Sequence, residues 1–293
     1  MDNLYKSEVL LLTKTYNLED LRLWLWWYSE AIPFDHIVVY DNESTVPIKE
    51  LCESFPKVEY HVVRGFPDQS RLYTEHVNNH SRARWCIPLD DDEILYIGDK
   101  YHHSVNEFLE AMDALEYKKV AVEWVYMLSE NPMTERTETY LNTHTTRCTR
   151  LQFKTYHRYD ARGAYIKTFV RTDQDVYYGM TEKVQPYHHL HNPLVRNGSS
   201  LAYFENGVSP TMHNRRKTFT FNENVFIGHY LYKSESEWKA KCKRNTASTR
   251  NKTLSKLSSV YGELHSIGNR TRFVPCTEIK DWMNQVLSET SKG

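Results

Sequence analysis

Between Val9 and Met127 the chain alternates short apolar runs with amphipathic helical stretches, and this alternation restricts the fold more than any other feature of the sequence. Val9 to Leu12 is a continuous apolar run of strand length, the pattern of a strand buried on both faces. Asn17 then offers a helix cap with Asp20 three residues on. Leu21, Trp24, Leu25 and Tyr28 recur at i, i+3, i+4 and i+7, so one helix face is apolar. The pattern continues with a strand at His36–Tyr40, a helix at Pro47–Phe55, a strand at Lys57–Val63, a polar helix at Gln69–Ser81 and an apolar strand at Trp85–Leu89. Ser104 and Glu107 form a capping box ahead of Phe108, Met112 and Leu115, and Lys119–Met127 is again a strand. Strands separated by helices are joined by crossovers, which predicts an α/β fold with a mainly parallel sheet flanked by helices on both faces. Ligands of such sheets bind beyond the carboxyl ends of the strands.

The second half is less regular. Ser129–Arg162 is polar and rich in Thr, Arg and Tyr, and reads as long loops with short strands. Tyr165–Arg171 alternates as a strand, and Asn224–Gly228 reads as a short strand ending in a flexible glycine. Ser234 and Glu237 form a second capping box that opens a basic helix through Trp238 and Cys242. Ile279, Trp282, Met283 and Val286 mark a C-terminal amphipathic helix. No Gly/Ser linker divides the chain, so one domain over 1–293 is expected, a regular half at 1–127 and an irregular half at 128–293.

Lys and Arg total 37 against 38 Asp and Glu, a formal net charge of −1 that supplies no global attraction to nucleic acid or anionic lipid; any polyanion must be held locally. The apolar runs fall far short of the roughly 18 residues of a membrane span, and the N-terminal residues lack a signal-peptide pattern, so a cytosolic protein is expected, in the host cytoplasm if the source is viral. Five scattered cysteines fit neither a disulfide framework nor a zinc site. Sequons at Asn42, Asn79, Asn197, Asn251 and Asn269 are read as accidental.

Asp90, Asp91, Asp92 and Glu93 directly follow an apolar strand. Adjacent carboxylates repel unless water or a cation screens them, so the run is either a solvated acidic turn or, with Asp90 and Asp92 aimed at one hard ion, a Mg²⁺ or Mn²⁺ site. Removing one carboxylate should then leave the metal-free protein at least as stable. Asp41, at the end of another apolar strand, suits a ribose or base contact, although Asp41–Ser44 is also ordinary turn chemistry. His188, His189 and His191 cluster without a zinc spacing, as does His229 with its tyrosine neighbour, and Lys167 and Lys233 are candidate point charges for a diphosphate.

Four segments, in order, resemble the glycosyltransferases of the GT-A fold, and within them family ninety-two and related short family-two-like enzymes of bacteria and large DNA viruses. They are Asp35–Ser44 after Trp27 and Tyr28, Arg84–Glu93, Ile166–Arg171 with the later histidines, and His229–Lys241. The resemblance implies a GT-A, Rossmann-like fold with a nucleotide-sugar half and an acceptor-side half. It implies that Asp90 and Asp92 are an Asp-x-Asp motif holding Mn²⁺ or Mg²⁺ on a nucleotide-diphosphate sugar, with Asp91 beside the donor. Asp41 would lie by the nucleoside, His229 would be a metal or diphosphate ligand, and Lys167 and Lys233 would lie near the phosphates. The expected activity is metal-dependent, inverting transfer of a sugar, from a UDP sugar, to a hydroxyl of a glycan or glycoconjugate. Glu130, Asp173 and Asp175 are candidates by location for the base. Alternatives are a Mg²⁺-dependent nucleotidyltransferase or phosphohydrolase, and a catalytically silent glycan-binding module.

Overall fold

The computed structural model describes residues 5–15, 17–65, 67–130, 133–148, 166–178, 193–195, 202–203, 222–243 and 273–291. Strands β1 (Tyr5–Thr13), β2 (His36–Asp41), β3 (Val58–Val62) and β4 (Ala83–Pro88) are mutually parallel in the order β3-β2-β1-β4. The crossovers carry α1 (Leu18–Trp26), α2 (Lys49–Glu53) and α3 (Gln69–Glu75). Beyond β4 lie β8 (Ile166–Arg171), β6 (Lys119–Leu128), β7 (Thr146–Cys148) and β13 (Phe273–Pro275). β8 enters antiparallel to both β4 and β6, so the sheet is mixed, where the alternation of elements predicts a mainly parallel one. Side-chain periodicity records burial on two faces but carries no strand direction.

The two faces of the sheet have separate cores. Val9, Leu11, Ile37, Val39, Trp85 and Ile87 face Trp24 and Leu25 of α1, Tyr28 of the π-helical turn Trp27–Ala31 that follows it, and Phe108, Leu109 and Met112 of α4 (Val105–Ala114). Leu10, Leu12, Val38, Tyr40 and Cys86 face Tyr73 and Val77 on the other side. The helix ends follow the predicted caps: Asn17 accepts from the backbone N–H groups of Glu19 and Asp20, and Ser104 from that of Glu107. The expected helix Gln69–Ser81 is α3 followed by one π-helical turn, His76–His80.

The sequence reading did not anticipate β5 (Glu93–Ile97), which starts on the last residue of the acidic run. It pairs antiparallel with β12 (Val225–His229), which also lies parallel to β6. Gly228 in β12 is not a flexible joint: a Cβ there would stand 2.8 Å from Ile279 Cδ1 and 3.0 Å from both Met127 Cγ and Tyr230 Cε2. Glycine is needed for close approach of α7 (Glu278–Thr290) to the strand. Short elements α5 (Tyr140–Thr143), β11 (Ala202–Tyr203) and the pair β9 (Val176–Tyr177) and β10 (Leu194–Val195) complete the described second half, with α6 (Glu235–Lys243) after β12. No helix among the described residues is long and apolar enough to cross a membrane.

Candidate functional site

The acidic run is the turn between β4 and β5, at the carboxyl edge of the parallel strands. Three aromatic side chains from the first helix and the π-helical turn after it hold its backbone through their polar tips. Trp24 Nε1 donates to the Asp90 carbonyl at 3.0 Å, Trp27 Nε1 to the Leu95 carbonyl at 2.9 Å and the Tyr28 hydroxyl to the Glu93 carbonyl at 3.1 Å. The apolar face read from the sequence therefore does two jobs, filling the core with its rings and fixing the turn with its donors. The turn also closes on itself: the Asp90 N–H donates to Glu93 Oε2 at 2.9 Å, and the Glu93 N–H to the Asp90 carbonyl at 3.0 Å.

Each carboxylate of the run has a different environment. Lys167, 3% exposed on β8, places its ammonium 2.9 Å from Asp90 Oδ2 and 3.0 Å from Glu93 Oε2. Burial disfavours that ammonium, but the Asp90 and Glu93 charges outweigh it and hold the lysine protonated, above its ordinary value. Asp91 accepts from the Thr13 hydroxyl at 2.8 Å at the end of β1, and burial together with the neighbouring Asp92 charge raises its carboxyl. Asp92 is 5% exposed. Its carbonyl accepts from the Tyr230 N–H at 2.7 Å, its Oδ2 from the Lys241 ammonium at 2.5 Å, and its Oδ1 lies 3.3 Å from His229 Nε2. Burial pushes the Asp92 carboxyl up, yet Lys241 and His229 prevail and hold it well below the usual carboxylate range.

His229 reaches Asp92 because β12 sets it opposite Glu93 on β5 and beside Tyr126 on β6. Its ring stacks on Tyr126 and meets Trp124 edge-on, while its Nδ1 is buried with no hydrogen-bond partner among the described residues. Among the described residues, the one polar partner of this imidazole is Asp92, on the Nε2 side. Lys241 projects from α6, whose start is fixed by the Ser234 hydroxyl, which donates to Glu237 Oε2 at 2.6 Å and accepts from the Glu237 N–H at 3.3 Å. The motif comparison in the sequence included Lys241 but gave it no role.

Asp41 lies on the same edge at the end of β2, with its carboxylate engaged: the Ser44 N–H donates to Oδ1 at 2.8 Å and the Tyr60 hydroxyl to Oδ2 at 2.8 Å. It shapes the 41–45 loop, where the Thr15 N–H also donates to Ser44 Oγ at 3.0 Å. Lys233 is committed elsewhere, its ammonium 2.6 Å from Asp20 Oδ2 and 4.2 Å from the Tyr140 ring centroid. Arg136 joins Asp20 at 2.8 Å and Glu237 at 2.7 Å, forming a charge cluster that ties the first helix to α6.

Of the candidate bases, Glu130 is exposed just past the end of β6, on the edge that carries the acidic turn. Asp173 and Asp175 are on the opposite edge, because β8 runs antiparallel and sets Arg171 against Trp85 near the start of β4; Asp173 pairs with Arg171 there. They do not join the cluster. His188, His189 and His191, and the sequons at Asn197, Asn251 and Asn269, lie outside the described residues.

The donor chemistry of Asp92 and His229 suits a Mn²⁺ or Mg²⁺ ion, a hard carboxylate oxygen beside one imidazole nitrogen, with Asp90 in the same turn paired to Lys167. Among the described residues, the set of three metal-type donors whose ligand atoms lie within 4.8 Å of one another is elsewhere, Glu8, His76 and Cys86 on the second face of the sheet. Glu8 is neighbour to His36 and Cys86 in the strand registers, and its two oxygens meet His36 Nδ1 at 2.8 Å and His76 Nε2 at 2.7 Å, with the Tyr40 hydroxyl on His76 Nδ1 at 2.9 Å. These are hydrogen-bond separations, and they account for this buried carboxylate as an ion-paired structural network.

No protein-family model and no curated protein matches the chain. Among solved structures, S. aureus TarS residues 1–349 align at 13% identity over 91% of this chain and 73% of that one, with a TM-score of 0.33. The same TarS portion in complex with UDP aligns at 14% identity over 59% and 50%, with a TM-score of 0.29. A 4-diphosphocytidyl-2C-methyl-D-erythritol synthase from Anaerococcus prevotii aligns at 11% identity over 58% and 71%, with a TM-score of 0.30. Against a longer TarS chain the identity is 15% and the TM-score 0.29, over 59% of this chain, which spans 30% of that one.

Proposed function

We propose that the protein is a metal-dependent glycosyltransferase that moves a sugar from a nucleotide-diphosphate donor, a UDP sugar, to a hydroxyl of a glycan or glycoconjugate, with inversion at the anomeric carbon. The observation that carries this reading is the meeting of Asp92 and His229 at the carboxyl edge of the sheet, with His229 Nε2 3.3 Å from Asp92 Oδ1. Two segments remote in sequence, the β4–β5 turn with Asp92 and β12 with His229, bring hard-metal donors together where α/β sheets bind their ligands. When bound there, Mn²⁺ or Mg²⁺ would neutralise charge developing on a leaving diphosphate. Asp91 lies within the same turn, on the donor side. Thr13, Asp41 and the 41–45 loop border that edge and would receive the nucleoside, with Asp41 acting through the loop conformation that it fixes. Lys167 pairs with Asp90 and orients it, in place of the position near the phosphates expected from sequence. Glu130, exposed on the same edge, is the candidate to take the acceptor hydroxyl proton.

Calorimetric titration of the protein with UDP, with and without Mn²⁺, tests the donor site. Tight binding that needs the ion and is lost in Asp92→Asn is the expected result. Absence of UDP binding under both conditions would remove the proposal. Product analysis then fixes the reaction class, since UDP identifies glycosyl transfer whereas pyrophosphate or UMP would identify nucleotidyl transfer or phosphohydrolysis.

A further inference from the structure

We infer that Lys241 is a built-in counter-cation of the acidic turn that changes partner during donor binding, leaving Asp92 when a divalent ion binds there and pairing with the donor diphosphate. The inference rests on the proposed metal and nucleotide site and adds a residue and a sequence of contacts to it. The Lys241 ammonium is 2.5 Å from Asp92 Oδ2, occupying one face of a carboxylate whose other oxygen is turned to His229. An ammonium and a divalent ion compete for the same oxygen, because both draw their stability from its charge.

The surroundings separate Lys241 from the other lysine of the turn. Lys167 is 3% exposed and bridges Asp90 and Glu93, a permanent internal cation. Lys241 is 32% exposed and meets one carboxylate oxygen by a single contact. It also stands on a helix whose first turn is held by Ser234 and by Arg136 on Glu237, so the backbone stays fixed while the side chain turns. Four torsions carry the ammonium, and release from Asp92 requires only a change of rotamer. A nucleotide diphosphate arriving with its ion brings negative oxygens to the site, and a lysine just displaced from Asp92 supplies a mobile cation for them.

The test is Lys241→Met, with Lys241→Arg retaining the charge and thermal unfolding confirming the fold of each variant. Mn²⁺ binding to the nucleotide-free protein is read by electron paramagnetic resonance, and UDP binding at saturating Mn²⁺ by calorimetry. Removing the competing ammonium should tighten Mn²⁺ binding by about fivefold. Removing the diphosphate partner should weaken UDP binding by about tenfold or more. Lys241→Arg should leave Mn²⁺ affinity near that of the wild type. The opposite signs are diagnostic, because general damage to the site would weaken both ligands. Unchanged or weaker Mn²⁺ binding in Lys241→Met overturns the counter-cation role, and tighter Mn²⁺ binding with unchanged UDP affinity overturns the transfer to the diphosphate. If the wild type binds Mn²⁺ but no UDP, the nucleotide reading itself fails, a result distinct from a wild type that binds both while Lys241→Met matches it.

Discussion

Asp92→Asn in the metal-free protein separates two accounts of the acidic run that differ in sign. Treated as isolated neighbours, Asp90 to Glu93 repel one another, and neutralising one of them should leave the protein as stable or more so. In the structure Asp92 is 5% exposed and ion-paired, with Lys241 at 2.5 Å, and its carboxyl is held well below the ordinary range, so attraction exceeds both repulsion and burial. Charge-assisted hydrogen bonds contribute about 1.5–3 kcal/mol, a figure that partial solvent screening of Lys241 reduces to about 1–2 kcal/mol. The His229 contact at 3.3 Å reinforces this attraction more weakly than Lys241 does. The Tyr230 N–H still reaches the residue 92 carbonyl, so the β12 connection survives the substitution. Urea unfolding with EDTA present should therefore show a lower midpoint at unchanged slope, and a thermal midpoint lower by roughly 2–3 °C for a chain of this size. A metal-free Asp92→Asn protein equal to or more stable than the wild type would refute the ion-pair reasoning and restore the repulsion account.

Glu130→Gln should lower turnover by about 10²-fold or more with Mn²⁺-dependent UDP affinity unchanged, while Asp173→Asn, on the opposite edge, should alter neither; steady-state kinetics and calorimetry on the two variants decide between the edges. Gly228→Ala should cost about 1–3 kcal/mol by forcing a Cβ against Ile279 and Met127, measured by urea unfolding, and a neutral result would contradict the close approach of α7 to β12. His144 donates through Nε2 to the Tyr232 carbonyl at 2.9 Å, and burial lowers its pKa from 6.5 to about 4. The unfolded chain then binds the proton more readily, so stability is full above about pH 6.5 and falls by about 3 kcal/mol as pH drops to about 4; His144→Gln should flatten that part of the stability–pH curve.

The legible part of the fold is the part whose residues answer to their own neighbours in sequence. Val9–Leu12 and His36–Tyr40 are apolar on both faces because both faces are covered, and Asn17 and Ser104 cap the helices that follow them. Ile94 to Ile97 is just as apolar, yet it follows four carboxylates and its partner strand is Val225–His229, far along the chain, so nothing local announces β5. The direction of β8 is invisible for a different reason. Alternation along Ile166–Arg171 is the same read either way, and only the pairing with Trp85 and Cys86 shows that Lys167 faces the acidic turn while Asp173 is carried to the far edge.

The same distinction governs the charged groups. Lys233 and Lys241 lie about two helical turns apart in one basic segment, and composition gives no ground for preferring either as a partner of the acidic turn. Lys233 precedes the cap of α6, where Asp20 and the Tyr140 ring claim it; Lys241 is two turns in, where the helix passes over Asp92. An ammonium takes its role from the carboxylate that tertiary packing brings to it, at 2.5–3.0 Å in each of these pairings. Asp90 and Glu93 share a buried, permanent cation, whereas Asp92 holds one that solvent can reach. The motif Asp90-x-Asp92 is symmetric in sequence and asymmetric in the folded protein, and it is the Asp92 side, with His229 and Lys241, that has a cation to give up.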